Sequence, residues 1–200
     1  DLTDEPVDLS PLWRFRRLRS LVIVLGAGLL LTSEVISGLC LLTELVELEL
    51  DPCDSVDQLQ RQPQINHMHL HQLLTHCKSL HTVGITFDAS SVTRTDVEGL
   101  QQMGSGSGVR TLKVGVSPVD CPNLVAEFLL GLCPKLERLE HNWPDAALWR
   151  EIGAREMLDA PRWKKVLRRS GWESGTDLDW CRTVTARAVE TNPTSSADIT

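Results

Sequence analysis

The sequence predicts an α/β solenoid, a curved parallel β-sheet with one helix per repeat. Three observations predict it. An aliphatic pattern of the form Leu-x-x-Leu-x-Leu begins at positions 18, 45, 80, 109 and 136. The intervals between those starts are 27, 35, 29 and 27 residues. Between successive starts lies a stretch whose apolar residues recur at helical spacing.

The repeat length points to leucine-rich repeats, whose period is ~20–29 residues. The one long interval holds a proline-bounded loop, which accounts for its extra length. A unit of one strand and one helix buries a single face, so neighbours must stack to make a continuous core. About five repeats are expected over residues 15–143.

Taken in order, residues 1–14 form an acidic, proline-broken opening segment. Trp13 to Arg19, WRFRRLR, is a basic lead-in to the first strand, Leu18-x-x-Leu21-x-Ile23. Thr32 or Ser33 caps a helix carrying Val35, Ile36, Leu39 and Cys40 on one stripe. The second strand is Leu45-x-x-Leu48-x-Leu50, followed by a polar loop from Asp51 to Gln64. A helix from about Asn66 carries Leu70, Leu73, Leu74 and Cys77. The third strand is Leu80-x-x-Val83-x-Ile85. Thr95-x-x-Glu98 has the form of a capping box for the next helix, and GSGSG at 104–108 ends it. After the fourth strand, Val109-x-x-Leu112-x-Val114, Asn123 is the expected cap of a helix carrying Leu124, Val125, Phe128, Leu129, Leu132 and Cys133. The fifth strand is Leu136-x-x-Leu139-x-His141. Beyond Trp143 the pattern stops. Residues 144–182 hold four of the six tryptophans, with Trp143 just before them, and read as a helical cap over the last apolar face. Residues 183–200 are polar and read as a disordered tail.

Composition narrows the function classes. Twenty basic residues face twenty-seven acidic ones, for a net charge of −7, so a nucleic-acid partner is not expected. The most apolar run, Leu21 to Leu31, is eleven residues long and holds Gly26 and Gly28, too short to span a bilayer, so no membrane partner is expected. Six cysteines without a CxxC pair read as reduced thiols, which suggests cytoplasm or nucleus. The chain opens at Asp1 and reads as a piece of a longer protein.

Residues alternate across a strand. The face opposite the helices therefore receives Ser20, Val22 and Val24, then Glu47, Glu49 and Asp51, then Thr82, Gly84 and Thr86. It also receives Thr111, Lys113 and Gly115, then Arg138, Glu140 and Asn142. This concave face is the candidate partner-binding surface. Its second row is wholly acidic, and Glu44, Asp54 and Asp57 add to it, so a basic protein segment is the expected partner.

Other motifs point elsewhere with less force. His67, His69 and His71 form HxHxH, with His76 and His81 nearby, but zinc would need further ligands, and these read as surface histidines on the helix. Cys77 and Cys133, each three residues before a strand leucine, read as small core residues. Gly26-Ala27-Gly28 lacks the third glycine of a dinucleotide fingerprint. The basic runs Arg14–Arg19 and Arg162–Arg169 could meet acidic partners, but read first as solvated charge beside the apolar ends. No metal, cofactor or catalytic residue is expected. A His/Cys-dependent metal protein or enzyme, and a structural repeat remnant, are the alternative readings.

Two stretches carry a family resemblance. HQLLTHCKSLHTVGITFDAS at 71–90 and LVAEFLLGLCPKLERL at 124–139 share a helix ending in His-Cys or Leu-Cys with a leucine three residues later. In the first, the strand runs into Phe-Asp-Ala, and SPVDCPNLVAEFL at 117–129 fits the same pattern. They resemble the leucine-rich-repeat region of fungal F-box proteins, especially those of mushroom-forming fungi. That resemblance implies the substrate-recruiting part of a cullin-type ubiquitin ligase. The F-box would bind the ligase adaptor and the repeats would present the target surface. No F-box precedes Leu18, so adaptor binding is expected only if one lies upstream of Asp1.

Overall fold

The computed structural model describes residues 8–25, 31–52, 63–103, 106–140, 159–170 and 173–175. It is an α/β structure built on one parallel sheet. Six strands follow in chain order: β1 (Ser20–Leu25), β2 (Glu47–Pro52), β3 (Thr82–Ile85), β4 (Thr111–Lys113), β5 (Arg138–Glu140) and β6 (Glu173–Gly175). Among the described residues five helices accompany them: α1 (Ser33–Leu39), α2 (His67–His76), α3 (Arg94–Met103), α4 (Pro122–Leu132) and α5 (Asp159–Ser170). A short 3-10 helix, Ser10–Arg14, comes first.

The register brings equivalent positions side by side. Leu21 pairs with Leu48, Leu48 with Val83, Val83 with Leu112, and Leu112 with Leu139. Each strand begins two residues after the first leucine of its pattern. That leucine sits in a tight turn instead: the amides of Leu45, Leu80 and Leu136 donate to the carbonyls of Leu42, Cys77 and Cys133. One residue before each strand, the units are stitched by a repeated double acceptor. The Arg19 carbonyl accepts from Val46 and Glu47, Val46 from His81 and Thr82, His81 from Arg110 and Thr111, and Arg110 from Glu137 and Arg138.

The inward ladder is buried from β2 to β5: Leu48, Val83, Leu112, Val114 and Leu139 have no exposed surface, while Ile23 of β1 is half-buried. Burying each such side chain contributes roughly 1.5–3 kcal/mol. They join Ile36, Leu39, Leu70, Leu73, Val125, Phe128 and Leu129 from the helices in one core. Cys77 and Cys133 are fully buried there, as expected, where α2 and α4 end.

Several sequence expectations need correction. The opening segment joins the core: Leu9 is buried, and Leu12 and Trp13 pack against the cluster. Trp13 lies on α1 at Gly38, where an added Cβ would collide with the indole ring. Three apolar residues, Leu9, Leu12 and Trp13, among prolines and charges are too sparse a signal to mark a segment as packed. The capping box of α3 is Thr93-x-x-Asp96, two residues ahead of Thr95-x-x-Glu98. The Thr93 amide donates to Asp96 Oδ2 at 2.8 Å and the Asp96 amide to Thr93 Oγ1 at 3.3 Å. The motif occurs twice in register, and the earlier copy starts the helix. Thr93→Ala is expected to lower stability by about 1 kcal/mol and Thr95→Ala by far less, as read from urea denaturation midpoints. For α4, Cys121 and not Asn123 occupies the cap, with no side-chain bond, because Pro122 opens the first turn. Thr32 and Asn66 do cap α1 and α2.

The parallel order also continues into the region expected to be only a helical cap. Val166 and Leu167 of α5 are buried, α5 packs against α4, and β6 pairs with β5. The three residues of β6, ESG, have no aliphatic ladder to announce them. Trp143, Trp149, Trp172, Trp180, residues 183–200 and the glycines at 26 and 28 lie outside the described residues, as does the Trp163 side chain.

Candidate functional site

The outward face of the sheet is built from two registered rows. One runs Ser20, Glu47, Thr82, Thr111, Arg138. The other runs Val22, Glu49, Gly84, Lys113, Glu140. Adjacent strands lie ~4.8 Å apart, so each row is a line of closely spaced side chains.

The first row is open to varying degree. Ser20 and Arg138 are exposed, while Glu47, Thr82 and Thr111 are half-buried. The Ser20 hydroxyl donates to Glu47 Oε2 at 2.6 Å, and Arg138 Nε pairs with Glu140 Oε1 at 2.7 Å. The second row departs from the sequence expectation. Strand alternation places Glu49 on the exposed face, yet it is 6% exposed. Its Oε1 lies 2.6 Å from Lys113 Nζ, two strands away. Gly84 lies between them in register, and a Cβ there would touch Glu49 at 3.4 Å. The absent side chain lets the pair close over β3. The signal was present in sequence as acid, glycine and lysine at equivalent positions, but only the stacking order makes them neighbours.

This changes the charge of the face. Of the acidic row Glu47, Glu49 and Asp51, the first accepts from Ser20 and the second is neutralised by Lys113. The attraction for a basic segment is therefore smaller than the sequence suggested. The Asp51 backbone pairs with Val24, but its side chain, with Asp54, Asp57 and Asn142, lies outside the described residues. Thr86 follows β3, half-buried, and its hydroxyl is buried with no hydrogen-bond partner among the described residues. Gly115 occupies a turn after β4 with φ of 54°, a conformation that costs a side chain-bearing residue roughly 1–2 kcal/mol.

The histidines separate. His67, expected on the surface, is 4% exposed. Its Nδ1 meets Ser91 Oγ at 3.2 Å, its Nε2 lies 3.2 Å from Asp96 Oδ2 without hydrogen-bond alignment, and its ring meets Phe128 edge-on at 5.2 Å. It ties α2 to the start of α3 and to α4. Asp96 is held below its usual carboxylate pKa, first by the Thr93 hydroxyl and also by His67. His69 belongs to the α2 capping box: its Nδ1 accepts from the Asn66 amide. His76 and His81 contact the Gln72 and Ser79 carbonyls. Among the described residues, no group of three His, Cys, Asp or Glu side chains could hold a metal ion.

The core thiols are poor nucleophiles. Burial pushes the pKa of Cys77 up to about 12 and that of Cys133 up to about 11, from 9.0. Such groups stay protonated in the fold while the unfolded chain ionises near 9.0. Their contribution is therefore full below about pH 9 and declines as pH rises toward the folded values. The melting temperature is expected to fall from about pH 9 upward, and less so in Cys77→Ala/Cys133→Ala, followed by calorimetry across an alkaline series.

The basic run of α5 meets this chain's own acids. Arg162 pairs with Asp120 at 3.0 Å and Arg169 with Glu127 at 2.9 Å, and Glu127 also pairs with Arg94 at 2.6 Å. No described helix is long and apolar enough to cross a membrane. In comparisons with known proteins, no family model, no curated protein and no solved structure matches this chain.

Proposed function

We propose that this chain is a leucine-rich-repeat solenoid acting as a non-catalytic protein–protein interaction module. By its resemblance it would supply the substrate-recognition repeats of an F-box-type ubiquitin-ligase subunit. The observation that carries the module reading is the unbroken chain-order stacking of parallel strands in matched register. Stacked in this way, the units bury one face and leave the other as a continuous surface. Glu47, Thr82, Thr111, Arg138 and Glu140 form that surface around the Glu49–Lys113 pair. Hydroxyls and mixed charges suit polar contacts at a protein interface. The ligase role rests on the resemblance of residues 71–90 and 117–139 alone.

Affinity capture from cell extract tests the surface. Thr82→Arg/Thr111→Arg should lose the partners that the parent protein retains, at an unchanged melting temperature. Equal capture by both would remove this face from the reading. Pull-down of the purified ligase adaptor with the full gene product tests the ligase role, and lack of binding would leave a generic scaffold. Stoichiometric zinc in the purified protein would turn the reading toward metal chemistry.

A further inference from the structure

The turns that lead into the strands carry charge opposite to that of the protein as a whole. In the segments 15–19, 40–46, 77–81, 106–110 and 133–137, Arg16, Arg17, Arg19, Lys78, Arg110 and Lys135 stand against Glu44 and Glu137. All eight are exposed. Six basic against two acidic reverses the balance of a chain with net charge −7.

These segments share one edge of the sheet. The double acceptors described above place Arg19, Val46, His81, Arg110 and Glu137 in a single row, one residue before each strand. At ~4.8 Å per strand, five units extend roughly 19 Å. Helix ends account for part of the pattern: Arg16 donates to the Leu41 carbonyl at 3.2 Å, just past the end of α1. They do not account for Arg19 and Arg110, which sit on the strand side of the turn. Arg110 pairs with the exposed Glu137 at 2.8 Å. The other edge, where strands end and helices begin, carries Glu34, Asp88, Asp96 and Asp120 against Arg94.

We infer that this edge is a second interaction surface, which takes an extended acidic peptide segment of a partner protein. An extended chain advances ~3.3 Å per residue, so roughly six residues cover the row. Its carboxylates would meet Arg19 and Arg110, three strands apart in the row, and Lys78 and Lys135 on the turns beside it. A single-stranded nucleic acid carries charge of the same sign, and the test separates it from an acidic peptide. This surface is separate from the outward face of the sheet, so either reading can fail alone.

The test uses the full chain and a fluorescein-labelled octaglutamate peptide, read by fluorescence anisotropy. Saturable binding at low salt is expected, weakened at ~0.2 M salt, where the screening length is below ~8 Å. Arg19→Glu/Arg110→Glu should bind about tenfold more weakly. Lys165→Glu/Arg168→Glu, an equal charge change at exposed positions of α5, should bind as the parent does. Arg19→Gln/Arg110→Gln introduces no new charge and should weaken binding about threefold, which guards against a folding defect in the reversal variant. Absence of binding at low salt, equal loss in the α5 variant, or tighter binding of single-stranded oligothymidylate would each overturn the proposal.

Discussion

Leu112→Asp is expected to abolish the cooperative thermal transition. Leu112 has no exposed surface and stands in the middle of the ladder, between Val83 and Leu139. Removing a buried leucine side chain alone costs roughly 2–5 kcal/mol. A carboxylate in its place must also be desolvated or protonated, which adds several kcal/mol. The total approaches the ~5–15 kcal/mol that holds a typical domain together. Because each unit rests on its neighbours, losing β4 exposes the apolar faces of both adjoining units. Thr111→Asp, one residue earlier on the half-buried outer face, should shift the transition only slightly. Circular dichroism melts of the two variants decide the matter. A Leu112→Asp protein that still unfolds in one transition at the parent temperature would mean that the ladder is not the core.

The second large effect concerns Lys113. Lys113→Met should destabilise by about 3 kcal/mol, since it leaves the Glu49 carboxylate buried without its cation. Glu49→Leu/Lys113→Met should recover most of that loss, because removing both charges also removes the desolvation penalty. A urea double-mutant cycle measures the coupling. If Lys113→Met alone cost under about 0.5 kcal/mol, the pair would be behaving as a solvated surface contact. The double variant serves a further purpose. It removes the central charge pair while keeping the fold, so any change in partner capture would place that pair inside the binding surface.

Much of the structure follows from short-range pattern. The aliphatic spacing at Leu48, Leu50, Val83, Ile85 and Leu112 picks out residues that are all buried. Thr32 and Asn66 announce their helices because a cap acts within three residues of itself. Burial of Cys77 and Cys133 follows from their fixed offset to the next leucine. Where two local signals compete, as at Thr93 and Thr95, pattern alone cannot choose, since the choice depends on which start lets Val97 and Leu100 reach the core.

What the amino-acid sequence determined by itself is the alternation of strand and helix, and which side of each strand is buried. Only the tertiary structure decided what happens between units. Glu49 and Lys113 are 64 positions apart in the chain, and they meet because β2 and β4 flank a glycine-bearing β3. His67 is drawn inside because Asp96, Ser91 and Phe128, from later in the chain, surround it. The same stacking aligns Arg19 with Arg110 on one edge, and it extends the sheet to β6. Periodicity is a property of neighbours along the chain, whereas these contacts join side chains through space. Their energies depend on which unit lies beside which.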